Sequence, residues 1–320
     1  METQTVSWIG IDVSKARLDV YISPAQTHRS FERSGEGVAA LVEALSGTAP
    51  ALIVLEATGG LEDAAAAALA HKGLPIVVVN PRQVRDFARA TGTLAKTGLI
   101  DARVLARSGE AMRPQVRPLP DAETKRLGEM VTRRAQIISM LTMEKNRLAS
   151  ASGPAKRDIE SHIAWLEKRL GAFNGDMRDL LRNSPVWREK DDLVCGVPGV
   201  GPVLATTLFS NLMELGSLNR KQIAALVGVA PMNRDSGKFK GRRTVWGGRA
   251  EVRAVLYMAT VADLRCNPVI KAMYERLRKA GKAPKVAVTV CMRKPLVILN
   301  SMIKHKTPWN PKTPSLQAVS

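Results

Sequence analysis

Short hydrophobic runs alternate with helical patterns along the first 110 residues. Four runs bounded by turn residues predict strands: Ser7–Ile11, Leu18–Ile22, Ala51–Leu55 and Ile76–Val79. Hydrophobic residues at helical spacing predict helices over Val38–Leu45 and Leu61–His71, and a polar helical stretch follows Asn80 and Pro81. Strands that alternate with helices in this way predict an α/β domain.

The pattern changes after residue 115. Hydrophobic residues recur at helical spacing from Pro120 to Arg182, with an interruption at Gly153 and Pro154, which predicts two long helices in an antiparallel hairpin. Short helices dominate from Leu193 onward. We therefore expect three segments: an α/β domain over 1–115, a helical hairpin that serves as linker or dimer contact over 116–190, and a mainly α-helical domain over 191–320. The element order of the first segment resembles doubly wound and ribonuclease H-like cores.

The charge of the chain is concentrated in its last third. The 320 residues carry a net charge of +19, but residues 1–110 contain 11 basic and 12 acidic side chains, whereas residues 193–320 contain 21 and 5. Such an excess of positive charge is typical of a surface that binds a polyanion, and nucleic acid is the expected partner. A basic surface that is merely solvated is the alternative.

The cysteines and the hydrophobic runs narrow the class of protein further. The three cysteines are far apart in the sequence and form neither a disulfide framework nor a zinc-binding pattern. We therefore expect the protein in a reducing bacterial cytoplasm. When it binds DNA, we expect it to associate with the nucleoid. No uninterrupted hydrophobic run approaches the roughly 18 residues that a membrane span needs. We therefore expect no membrane partner.

Three carboxylates lie where hydrophobic segments meet turns. Asp12 follows the first strand, Glu56 follows the strand Ala51–Leu55, and Asp101 lies at the start of a helix. A carboxylate at the end of a buried strand costs desolvation free energy unless it is paired, hydrogen-bonded or bound to a metal. Acids that converge on one edge of a sheet are suitable ligands for Mg²⁺. Each acid by itself is also compatible with an ordinary turn.

A serine lies within a basic, glycine-rich segment of the last third. Ser236 is surrounded by basic residues that could bind phosphate, namely Arg234, Lys238, Lys240, Arg242 and Arg243. A serine hydroxyl becomes an effective nucleophile only when it is activated, and nearby cations stabilise the charge that develops on phosphate. Without such activation, a serine in this setting only contacts phosphate.

A second glycine-rich segment precedes the serine. The residues around Gly199 and Gly201 match a helix–hairpin–helix pattern, in which backbone N–H groups at the start of a helix bind a DNA phosphate. A purely structural corner between two helices is the alternative. The segment lacks the Lys-Ser/Thr pair of a P-loop.

Six motifs, in order and at suitable spacing, resemble the insertion-sequence 110 transposases, the DEDD group that also includes the Piv-type DNA invertases. They are Gly10–Lys15 (GIDVSK), Leu55–Gly59 (LEATG), Val79–Val84 (VNPRQV), Lys96–Arg103 (KTGLIDAR), Val197–Gly201 (VPGVG) and Leu226–Pro231 (LVGVAP). The resemblance covers nearly the whole chain.

The resemblance implies a fold and a chemistry. It implies a RuvC-like first domain in which Asp12, Glu56 and Asp101 bind Mg²⁺, and a later domain in which Ser236 forms a covalent phosphoserine with DNA. It also implies a bridge RNA that pairs with donor and target DNA, and a homo-oligomer, from dimer to tetramer, whose active sites combine the two domains from different subunits. The function implied is that of a transposase that exchanges DNA strands.

One departure from the family pattern affects the predicted metal site. The third motif of the family reads Lys-Thr-Asp-x-x-Asp-Ala, and Gly98 stands in place of its first acid. Fewer carboxylates predict weaker binding of Mg²⁺. A nucleic-acid-binding relative with impaired catalysis, a Piv-type site-specific invertase, and a RuvC-like nuclease that uses metal-activated water therefore remain alternatives.

Overall fold

A computed structural model describes residues 6–310, except Leu94, Lys96 and Arg242. The chain divides into two compact units, residues 1–119 and residues 120–320. The helices of the predicted hairpin lie in the same unit as the helices that follow them.

The first unit is built on a mixed five-stranded sheet. Its strands are β1 (Trp8–Val13), β2 (Arg17–Ser23), β3 (Thr27–Glu32), β4 (Leu52–Glu56) and β5 (Ile76–Val79). The order across the sheet is β3-β2-β1-β4-β5; the β1–β2 and β2–β3 pairs are antiparallel, and the β1–β4 and β4–β5 pairs are parallel. This is a ribonuclease H-like α/β fold, and the predicted fold class is confirmed.

Four helices accompany the sheet: α1 (Gly35–Ser46), α2 (Asp63–His71), α3 (Pro81–Ala90) and α4 (Gly98–Met112). Helix α4 packs on the face of β1 that carries Gly10, so closely that a Cβ at Gly10 would overlap backbone atoms of Ala102 and Ala106. Because side chains alternate between the faces of a strand, Asp12 lies on the same face as Gly10. The approach at Gly10 therefore sets the distance between Asp12 and the start of α4.

Strand β3 is absent from the predictions made from sequence. Apart from Phe31 its residues are polar, and most are exposed, so the strand lacks the hydrophobic alternation that identifies a strand from sequence. The strand forms because the chain turns back along β2 and completes an antiparallel ladder at the edge of the sheet.

The second unit begins with the predicted helical hairpin. Helices α5 (Ala122–Leu148) and α6 (Gly153–Asn183) pack along their length. Arg134 donates a hydrogen bond to Asn174 over 2.7 Å, and Lys145 lies 2.8 Å from a carboxylate oxygen of Glu167. The pairing runs in opposite directions along the two helices, so the hairpin is antiparallel, as predicted.

Shorter helices and one small hairpin complete the second unit. They are α7 (Pro185–Cys195), α8 (Pro202–Asn211), α9 (Arg220–Val227), β6 (Asp235–Ser236), β7 (Phe239–Lys240), α10 (Ala250–Cys266), α11 (Pro268–Lys279) and α12 (Pro284–His305). Within the described residues, α12 is the one helix long and hydrophobic enough to cross a membrane, and most of it is buried in the core of this unit. Asn300 of α12 accepts a hydrogen bond from the N–H of Gly216 and donates one to the carbonyl of Leu218, which ties the helix to a neighbouring loop.

Candidate functional site

Two of the predicted acids lie side by side at the end of the parallel strands. Strands β1 and β4 pair in a register that matches Ile11 with Leu55, so Asp12 and Glu56 are at equivalent positions one residue further along. Both side chains are half-buried. The structure therefore places these two predicted carboxylates on neighbouring strands at the same end of the sheet.

The third acid belongs to the first turn of α4. Thr97 caps this helix by accepting a hydrogen bond from the N–H of Ile100 over 3.3 Å, and Asp101 follows within the first turn. A carboxylate there interacts favourably with the positive end of the helix dipole. Glu56 and Asp101 line one cavity of 290 Å³, together with Pro81, Arg82, Val84, Arg85, Ala88 and Val104.

The loop after Glu56 is ordered by a single buried carboxylate. The Oε2 atom of Glu62 accepts hydrogen bonds from the N–H and hydroxyl of Thr58 and from the N–H of Gly60, at 2.9 to 3.0 Å. Glu62 is 7% exposed, so these bonds are shielded from water. These hydrogen bonds stabilise the end of the LEATG segment beside Glu56.

A further acid, which sequence reasoning missed, lies next to this group. Asp19 on β2 is paired directly with Asp12 on β1. A Cβ placed on Gly98 would overlap Oδ2 of Asp19 and would lie 3.4 Å from Oδ2 of Asp12. The signal that could have found Asp19 is the turn at residues 14–16, because it sets the register of the hairpin that contains both acids.

The arrangement of these acids is compatible with a magnesium ion. Within the part of the chain that the structure describes, no group of three or more His, Cys, Asp or Glu side chains is close enough together to hold a metal ion. Mg²⁺, however, commonly binds one or two protein carboxylates and completes its shell with water and phosphate oxygens. The pair of carboxylates beside Gly98 supplies hard oxygen donors of this kind, with Asp101 one helical turn further along α4.

Ser236 lies in an exposed β-hairpin of the second unit. It pairs with Phe239 across a two-residue turn in which Gly237 has φ of 55°, a conformation that glycine adopts without strain. The N–H of Gly241 donates a hydrogen bond to Asp235 over 3.1 Å, which closes the base of the hairpin. Ser236 is therefore held on a small ordered element rather than in a core.

The basic residues predicted to bind nucleic acid surround this hairpin. Arg234, Lys238, Lys240 and Arg243 are all exposed, whereas Arg242 lies outside the described residues. Phe239 is 67% exposed and Trp246 57% exposed, so aromatic rings accompany the positive charge. Exposed cations bind phosphate, and exposed rings can stack on bases.

The glycine-rich segment before α8 lies against a buried carboxylate that sequence reasoning missed. Gly201 precedes α8, as predicted, and Gly199 has φ of 83°. A Cβ at Gly199 would overlap Oδ1 of Asp263, a side chain that is 2% exposed and whose Oδ1 has no hydrogen-bond partner. Close approach of a buried carboxylate is thus one reason for glycine at position 199.

Burial raises the pKa of Asp263 to about 7. The unfolded chain loses this proton near pH 4, whereas the folded chain retains it to about pH 7, so stability contributed by this group is present below pH 4 and is lost as the pH rises to 7. We expect Asp263→Asn to remove this loss, which amounts to about 4 kcal/mol. Urea unfolding at pH 5 and pH 8 checks this: equal pH dependence in parent and variant would contradict it.

Two models of one transposase family match the chain. A model described as a transposase of the DEDD type in IS110 elements matches residues 9–151, and a model described as a transposase of the IS116/IS110/IS902 family matches residues 191–275. Together they cover both the sheet that carries the acids and the hairpin that carries Ser236. The class of protein is therefore a transposase of insertion sequences. The chain belongs to the IS110 family.

Three curated relatives are identical to this chain at 23% to 25% of the aligned residues. The pilin gene-inverting proteins of Moraxella bovis and Moraxella lacunata are each 25% identical over 316 residues, which covers 95% of this chain and 98% of theirs. An uncharacterized 42 kDa protein of the element IS900 from Mycobacterium paratuberculosis is 23% identical over 195 residues, or 58% of this chain and 48% of its own.

Solved structures are similar to part of the chain, among them a RuvC protein. RuvC of Thermus thermophilus matches 36% of this chain over its own full length, with 18% identity and a TM-score of 0.29. A score this low supports no conclusion about function.

Proposed function

We propose that this protein is an active transposase that exchanges DNA strands through a covalent phosphoserine at Ser236. The observation that carries the proposal is the position of Ser236 on an exposed hairpin beside the exposed cations Arg234, Lys238, Lys240 and Arg243. Asp12 and Glu56, which lie at neighbouring strand ends, support it. In the proposed step Oγ of Ser236 attacks a backbone phosphorus and gives up its proton. One P–O bond of the DNA breaks, and the leaving oxygen takes a proton and becomes a hydroxyl.

In this step, basic residues would bind the phosphate and acidic residues would bind the metal ion. Arg234, Lys238, Lys240 and Arg243 bind and orient the phosphate, because exposed cations neutralise its charge. From the predicted set Asp12, Glu56 and Asp101, one or two carboxylates at a time would hold Mg²⁺, with water and phosphate oxygens as its other ligands. When bound, this ion supplies Lewis-acid stabilisation of the charge on the phosphate. The backbone N–H groups near Gly199 and Gly201 are proposed to contact a second phosphate without reading its sequence.

The partners in this proposal are donor DNA, target DNA and a bridge RNA that pairs with both. The net charge of residues 193–320, with 21 basic and 5 acidic side chains, is suited to hold several nucleic-acid strands. We also propose that the protein acts as a homo-oligomer, from dimer to tetramer.

Site-specific inversion is a second candidate function. It is favoured by the similarity to two pilin gene-inverting proteins over 95% of this chain. Inversion at a fixed site would use the same acids and the same serine but would not require an RNA guide.

A denaturing gel tests the proposed function. Purified protein is mixed with labelled element-junction DNA, with and without Mg²⁺ and with and without RNA transcribed from the flanks of the element. We expect a covalent protein–DNA band that needs both additions. A band that needs Mg²⁺ but no RNA would favour inversion. Absence of a band in every lane, with DNA still retained on a native gel, would favour a protein that only binds nucleic acid.

Nucleic-acid affinity should depend steeply on salt. Each phosphate contact releases counterions, so the logarithm of the affinity should fall linearly with the logarithm of the salt concentration, by about 0.9 per contact. We expect Lys240→Ala to reduce this slope by about one contact. Filter binding between 50 and 300 mM salt measures the slope, and Lys168→Ala on α6 is the matched control. A slope near zero in the parent would contradict a phosphate-binding role of the hairpin.

A further inference from the structure

The side chain of Asp19 occupies the space that a side chain at position 98 would take. Asp19 lies on the face of the sheet that packs against α4, because Tyr21, two residues further along β2, contacts Ala102 and Ala106. Oδ2 of Asp19 would overlap a Cβ at residue 98, and Cγ lies 3.2 Å from that Cβ position. Glycine at position 98 thus leaves room for this carboxylate.

The orientation of Asp19 is set by hydrogen bonds from a neighbouring strand. The hydroxyl of Ser30 on β3 donates to Oδ1 of Asp19 over 2.7 Å, and Nε of Arg17 donates to the Ser30 oxygen over 2.9 Å. Because Oδ1 is engaged on the side of β3, Oδ2 faces Gly98 and Asp12. Hydrogen bonds of this kind orient carboxylates that bind metal ions.

Two carboxylates face each other across β1 and β2. Asp12 and Asp19 are direct partners in the antiparallel register, and Oδ2 of each lies within 3.4 Å of one point beside Gly98. Both side chains carry the oxygen donors that Mg²⁺ prefers, and one or two protein carboxylates are enough to bind it.

We propose that Asp19 is a ligand of the magnesium ion and supplies, from β2, the carboxylate that position 98 lacks. This inference rests on the proposed function, because it presumes that Asp12 binds the same ion. On this inference, glycine at position 98 does not mean that the metal site has one ligand fewer, because Asp19 provides that ligand from β2.

Binding of Mn²⁺ to the full-length protein, followed by electron paramagnetic resonance, tests this inference without any DNA. Asp19→Asn keeps the shape of the side chain and removes its charge, and we expect it to weaken Mn²⁺ binding by about tenfold or more. Glu43→Gln, an exposed charge on α1, is the control and should bind as the parent does. Asp12→Asn should abolish binding. Circular dichroism melting confirms that each variant is folded.

A double variant separates a ligand from a structural residue. Gly98→Asp alone should not strengthen Mn²⁺ binding, because its side chain would overlap Asp19. Asp19→Ala alone should weaken binding, and Asp19→Ala combined with Gly98→Asp should restore affinity to within about threefold of the parent, which is the coupling expected of residues that share one partner. A residue that only supports the fold would not be rescued in this way.

The outcomes distinguish this inference from the proposed function. If Asp12→Asn loses Mn²⁺ but both Asp19 variants bind like the parent, Asp19 is not a ligand, and the site proposed at Asp12 stands. If the parent binds no Mn²⁺ at millimolar concentration, the metal site and the role of Asp19 both fail. Loss with Asp19→Asn and recovery in the double variant would establish the relocated ligand.

Discussion

Ser236→Ala should abolish covalent attachment to DNA and strand exchange while leaving DNA binding nearly intact. Loss of an essential nucleophile lowers turnover by about 10³-fold or more in enzymes that use one. Binding should change by less than about tenfold, because the hydroxyl contributes at most one hydrogen bond to an exposed basic surface. The measurements are the covalent band on a denaturing gel and DNA affinity by filter binding.

Two further variants separate the loss of the nucleophile from a general loss of activity or of DNA binding. Ser150→Ala removes an exposed hydroxyl from the turn between α5 and α6 and should keep full activity. Lys238→Ala, in the same hairpin turn as Ser236, should weaken DNA binding and retain the covalent band at saturating DNA. Equal strand exchange by Ser236→Ala and the parent would refute the role of this serine and would favour cleavage by metal-activated water.

Gly10→Ala should destabilise the first unit strongly, although it adds a single methyl group. The new Cβ would overlap the carbonyl oxygen of Ala102 and the amide nitrogen of Ala106, and backbone atoms of a packed helix cannot move aside as a flexible side chain can. We expect a loss of at least about 2 kcal/mol in the free energy of unfolding. Displacement of α4 should also move Asp101 away from Asp12 and weaken Mn²⁺ binding.

Thermal unfolding followed by circular dichroism measures this effect. A loss of this size should lower the melting temperature of the unit by roughly 10 °C. Gly35→Ala is the matched control, because no atom lies within 4 Å of its Cβ position and helix α1 begins there; it should be neutral or slightly stabilising. A parent-like melting temperature for Gly10→Ala would show that α4 does not pack on β1 as described.

The sequence was most informative where a pattern is local. Asp12 and Glu56 were identified because each follows a run of hydrophobic residues, and such runs form strands wherever they are buried. The prediction that Asp101 lies at the start of a helix agrees with α4, which begins at Gly98. Composition alone identifies the basic, glycine-rich segment around Ser236, whereas its hairpin is known only from the structure.

Features that depend on register or on distant contacts were missed. Strand β3 has no hydrophobic pattern and forms only because β2 offers it an edge. From the sequence, Asp19 is an ordinary strand residue. In the structure it lies next to Asp12, from which the turn separates it along the chain, and next to Gly98, which is about 80 positions away. For Gly199 the sequence leaves open a phosphate-binding turn and a structural corner, and nothing in the nearby sequence indicates that the buried Asp263 approaches it.

By itself, the sequence determined the α/β and helical segments, the positive charge of the last third and the resemblance to the IS110 family, because periodicity, composition and motifs are properties of neighbouring residues. Only the tertiary structure decided which acids face each other across β1 and β2, how closely α4 approaches Gly10, and why residue 98 bears no side chain. These are distances between residues far apart along the chain, and they are set by strand register and by the packing of a helix on a sheet.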